Sequence, residues 1–146
     1  MSLVVGKIDA HEGTIYALTA CADFLVSAGA DGLCSWRVDG TGSLPKRAVH
    51  VAGAPGMPVL ALANGDGDVL FSGGADGRVT RWTLGTDGDL SCSAVGSTHD
   101  QITFYALGVV RAAGDARAVA CAASDGIVRL WSAATLQLLF AICPQT

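Results

Sequence analysis

The chain has 146 residues, of which 51% are hydrophobic and only 15% charged, and it carries a net charge of −4. That length suits a single domain with a sizeable core. Its nine lysines and arginines are scattered, which argues against an electrostatic footprint for nucleic acid. No apolar run approaches the roughly 18 residues that a spanning helix needs.

Mean hydropathy is +0.45. The opening Met1-Ser2-Leu3-Val4-Val5-Gly6-Lys7 has neither a basic flank nor the apolar core of a secretory signal. The five cysteines, Cys21, Cys34, Cys92, Cys121 and Cys143, are odd in number and lack a CxxC pairing. They read as small buried apolar residues in a reducing compartment, cytoplasmic or nuclear, rather than as disulfides or zinc ligands.

Taken in order, the chain alternates short β-branched and apolar runs with glycine-rich turns, the signature of many short strands. A first strand is expected over Leu3 to Ile8 and a turn over Asp9 to Gly13. Strands then follow at Thr14–Leu18, Phe24–Ser27, Leu33–Val38 and Arg47–Val51. A second set of four occupies Val59–Leu62, Val69–Ser72, Arg78–Leu84 and Leu90–Val95. Its first turn, Asn64-Gly65-Asp66-Gly67-Asp68, holds the Asn-Gly and Asp-Gly pairs that accept positive φ. The third set is Phe104–Leu107, Ala118–Ala122, Ile127–Trp131 and Leu136–Ile142, its first hairpin running through Arg111 to Arg117. Nothing repeats at i, i+3, i+4, i+7, so helices are not expected.

One phrase occurs three times: a strand, an Asp-Gly turn and a second strand ending in tryptophan. It runs Val26 to Trp36, Phe71 to Trp82 and Ala120 to Trp131, and the tryptophans are 46 and 49 positions apart. A period of that length marks a repeat architecture. The single domain, residues 1–146, therefore divides into an initial strand at 3–8 and units at about 14–51, 59–95 and 103–142.

These repeats resemble the four-stranded blades of WD40 β-propellers, and the resemblance covers nearly the whole chain. It implies an all-β propeller fold and a structural tetrad in each blade: a histidine before the first strand, a hydroxyl on the second, the turn aspartate and the tryptophan. The first unit matches at His11, Ser27, Asp31 and Trp36. The second matches at Ser72, Asp76 and Trp82, with Ala54-Pro55 where the histidine belongs. The third matches at Asp125 and Trp131, with Cys121 in place of the hydroxyl and His99 one position early. The dipeptide that names the family is absent, since Arg37, Thr83 and Ser132 follow the tryptophans.

His11, Ser27 and Asp31 also invite reading as a nucleophilic triad. Ser27 falls inside a strand, and no G-x-S-x-G elbow occurs, so the structural reading prevails. There is no phosphate loop, and Asp66 and Asp68 lack the bidentate acid of a calcium loop. No cofactor and no metal are expected.

The resemblance further implies a non-enzymatic scaffold that binds other proteins on the loops leading into each first strand. Those positions are Glu12, Thr14 and Tyr16, then Met57, Pro58 and Leu60, then Gln101, Thr103 and Tyr105. The stretch His11 to Leu18 is similar to the first blade of heterotrimeric G-protein β subunits. Two other functions stay open: a propeller enzyme of hydrolase or lyase type, and a WD40 subunit of an RNA-processing or messenger-export complex. The first is disfavoured because the three first strands carry no charge and no histidine.

Propellers close with four to eight blades. Three units leave blades to be supplied by a longer chain, by self-association of two copies or by a partner protein, in that order of preference.

Overall fold

The computed structural model describes residues 10–38, 46–52, 56–111 and 117–143. The expected strand at Leu3 to Ile8 lies outside them. Among the described residues there are twelve strands in three four-stranded antiparallel sheets, each in simple meander order. The first sheet comprises β1 (Ile15–Cys21), β2 (Phe24–Gly29), β3 (Gly32–Arg37) and β4 (Lys46–Ala52). The second comprises β5 (Val59–Asn64), β6 (Val69–Gly74), β7 (Arg78–Leu84) and β8 (Leu90–Ser97). The third comprises β9 (Phe104–Arg111), β10 (Arg117–Ala123), β11 (Val128–Ser132) and β12 (Leu138–Ile142).

The Asp-Gly turns fix the register of the second and third strands of each sheet. Gly32, Gly77 and Gly126 have φ of 116°, 70° and 78°, values that a side chain resists. Most strands run a few residues past or short of the expected bounds, β9 furthest, to Arg111 rather than Leu107, and two of the shifts have a visible cause. Thr14 precedes β1 and uses its carbonyl to accept the N–H of Ala30. Leu136, expected at the start of the last strand, sits in a turn with φ of 57° and its N–H bonded to the Ser132 carbonyl. Its apolarity serves the core, where it is 3% exposed, and β12 begins two residues later.

Strand register sorts each sheet into two faces. Leu18, Leu25, Ser27 and Trp36 share one face of the first sheet, and Thr19, Val26, Ala28 and Leu33 the other. We call the tryptophan-bearing side the front. The back of the first sheet (Val26, Ala28, Leu33) packs on the front of the second (Leu70, Leu84, Trp82) in one core cluster. The back of the second (Phe71, Val79, Ala63) packs on the front of the third (Phe104, Val119, Trp131) in another. Phe71 and Phe104 are fully buried, each contributing on the order of 2–3 kcal/mol of apolar transfer.

Close approach sets the second joint. A side chain at Gly96 would fall within 2.8 Å of the Trp131 ring, so the bare backbone there gives the indole its seat. The first joint adds polar ties to its apolar cluster. Ser35 Oγ donates to the Gly88 carbonyl at 2.7 Å, Arg37 reaches the Thr86 carbonyl at 3.3 Å, and Asn64 donates to the Ala20 carbonyl.

Candidate functional site

The loop before β1 carries His11 into the first sheet, where the turn aspartate and the strand serine meet it. His11 Nδ1 lies 2.5 Å from Asp31 Oδ1, and His11 Nε2 lies 2.6 Å from Ser27 Oγ. The indole N–H of Trp36 donates to that same Oγ at 2.8 Å, and the Glu12 N–H donates to Asp31 Oδ2 at 3.0 Å. A neutral ring protonated on Nδ1 satisfies every atom: it donates to the carboxylate, accepts the serine O–H, and leaves the serine oxygen to accept from tryptophan. Burial alone raises the Asp31 carboxyl, but the hydrogen bonds from His11 and from the Glu12 N–H outweigh it and hold the group below the usual range.

A residue that the sequence did not single out joins this cluster. His50 on β4 donates from Nε2 to the Asp31 carbonyl at 3.0 Å. Only the pairing of β4 with β3, which sets His50 opposite Cys34, brings it there. Ala10, His11, Glu12, Asp31, Arg47 and His50 line a cleft of about 460 Å3.

The second and third sheets keep parts of the arrangement. Trp82 donates to Ser72 Oγ at 2.7 Å, while the Asp76 carboxylate turns to the Arg78 N–H at 3.1 Å. In the third sheet, Arg129 takes over the aspartate: its two terminal nitrogens reach the Asp125 oxygens at 3.2 and 2.6 Å. That fork holds the Asp125 carboxyl below its ordinary range. The structure does not bring His99 to this aspartate. It occupies a turn with φ of 62°, its N–H bonded to Ser97 Oγ. Trp131 Nε1 is buried without a hydrogen-bond partner beside Cys121, whose thiol burial pushes up to about 12. An arginine two strand positions before a tryptophan gives no sequence signal of this swap, because its pairing with Asp125 depends on the turn geometry.

The triad reading meets a physical obstacle. Ser27 is 3% exposed, and its oxygen is occupied by the Trp36 N–H, so no substrate carbonyl can approach it. Among the described residues, no group of three or more His, Cys, Asp or Glu side chains is placed to hold a metal ion. Two cysteines depart from expectation, since Cys92 and Cys143 are exposed. They lie on β8 and just past β12, each in or beside the outermost strand of its sheet.

The nine positions occupy one end of the sheets, six of them in the loops and Tyr16, Leu60 and Tyr105 as the second residues of β1, β5 and β9. Ile15 pairs with Gly29, Val59 with Gly74 and Phe104 with Ala123, so the start of each first strand adjoins an Asp-Gly turn. Glu12, Thr14, Tyr16, Met57, Gln101 and Tyr105 are exposed there, and Pro58, Leu60 and Thr103 are half-buried. Met57, Gln101 and Thr103 line a cleft of about 340 Å3 with Ala75, Asp76 and Asp100.

No family model matches the chain, and no curated protein sequence matches it. Solved structures do. The WD40 β-propeller domain of Doa1 superposes with a TM-score of 0.73 at 18% identity, over 92% of this chain and 42% of that one. Sqt1 of Saccharomyces cerevisiae gives 0.73 at 19%, over 94% and 38%. The computationally designed Ika4 protein gives 0.67 at 24%, over 96% and 79%. The chain thus spans about two fifths of the Doa1 and Sqt1 structures. The three sheets have the fold of a partial WD40-type β-propeller.

Proposed function

We propose that the protein is a scaffold without chemistry of its own, which binds another protein on the end of the sheets formed by the first-strand loops and the Asp-Gly turns. The observation that carries this reading is the exposure of Tyr16 (49%), Tyr105 (60%) and Met57 (41%) on that single end. Tyrosine is effective at interfaces because it offers a large, rigid, amphipathic surface. The fold supports the reading in general terms, since a stack of sheets presents its loops together.

The serine-histidine-aspartate line in the first sheet is read as structural, fastening the first loop to its sheet through Trp36. The experiment is affinity capture with the chain and with a Tyr16→Ala, Tyr105→Ala double variant. Proteins held by the parent and released by the variant, at unchanged far-ultraviolet circular dichroism, support the reading. An identical captured set contradicts it, and a variant that unfolds assigns the tyrosines to packing.

A further inference from the structure

The joint between sheets is built twice within the chain, and its two halves are each left open once. On the back face, Leu33 and Val79 occupy equivalent places after the Asp-Gly turns and are 2% and 0% exposed, because the next sheet covers them. The third member, Val128, is 36% exposed, and its face continues through Ala106, Ala120, Ala122, Leu130 and Phe140 with no charged residue. A side chain added at Gly108, on that same face, would meet nothing within 4 Å. On the front face the inner-strand leucines are equivalent. Leu62 and Leu107 pack against the preceding sheet, whereas Leu18 of the first sheet is 64% exposed beside Ala20 and Leu25. Trp36 is already buried, so the open part of the first front lies on its inner strands.

We propose that the occupant of both faces is a second copy of this chain, docked head to tail. The back of one copy's third sheet receives the front of the other copy's first sheet, and the reverse joint forms on the opposite side. The two open faces are the two halves of one repeating joint, and each therefore complements the other on a second copy. A single partner can satisfy both only if it presents both halves, as this chain does. A heterologous contact of this sort closes when the rotation per unit allows. Two copies give six sheets, within the four to eight of closed propellers. The joint lies on the sheet faces, away from the loop end assigned to partner binding, so either reading can fail without the other.

The test is sedimentation equilibrium on the 146-residue chain, with Leu18→Lys and Leu130→Lys as single variants and as an equimolar mixture. The parent is expected at twice its 14.8 kDa mass. Each variant should raise the dissociation constant roughly 30-fold or more, as loss of a central apolar contact does. The mixture should regain part of the association, because it restores one joint with both faces intact. Leu18 is exposed, so its substitution leaves the fold in place. A monomeric parent overturns the proposal. So does a dimer indifferent to both variants, a mixture no better than its components, or a ladder of larger oligomers.

Discussion

Cys121 stands to Trp131 as Ser72 stands to Trp82, yet the buried indole N–H of Trp131 has no hydrogen-bond partner. A thiol is a weak acceptor, so the third sheet forgoes a bond that the first two make. Leaving such a donor buried and unsatisfied costs free energy.

Cys121→Ser should therefore stabilise the protein by about 0.5–1.5 kcal/mol, the net worth of one hydrogen bond. Thermal unfolding should shift upward by about 2–4 °C for each kcal/mol in a chain of this size. Cys121→Ala serves as the control, since it removes sulfur without supplying an acceptor and should give no gain. A serine variant no more stable than the alanine variant would show that Trp131 is satisfied in another way.

Asp31 makes a pH-dependent contribution whose sign follows from its lowered carboxyl. The folded state binds its proton more weakly than the unfolded chain, so the contribution is present above the ordinary value of 3.8 and is lost as pH falls through the lower folded value. Asp31→Asn should cost about 1–3 kcal/mol near pH 6, because the variant no longer offers a charged acceptor to His11 and Glu12. The gap between parent and variant should narrow as the solution is taken below pH 3.8 in denaturant titrations. A constant gap would place the effect in packing.

Thiol reactivity separates the cysteines into two classes. Burial raises the thiols of Cys21, Cys34 and Cys121, so they stay protonated and covered. Cys92 and Cys143 are exposed. In the native state an aromatic disulfide reagent should titrate two thiols quickly, and the other three only after denaturant is added. Fast reaction of Cys121 would mean that the second joint opens readily.

The strands were legible because each phrase repeats with the same turn, and the first cluster was legible because His11, Ser27, Asp31 and Trp36 fall at known offsets. What the sequence hid is set by register and by neighbours. Leu136 looks like strand, but its apolar side chain is wanted in the core from a turn. His50 reaches the Asp31 carbonyl only after β4 pairs with β3. Arg129 replaces His99 at Asp125 because its strand position faces the turn. Phe140 and Val128 look like core residues and are open, since periodicity reports a face but not what lies against it.

Consecutive sheets stack front to back, each tryptophan-bearing face on the sheet before it. Side-chain nuclear Overhauser contacts in solution test this most directly. Contacts are expected from the Trp131 ring to Gly96, and from the Leu70 methyls to Val26 or Leu33. Contacts joining Trp131 to the first sheet, or their absence between neighbouring sheets in a folded sample, would contradict it.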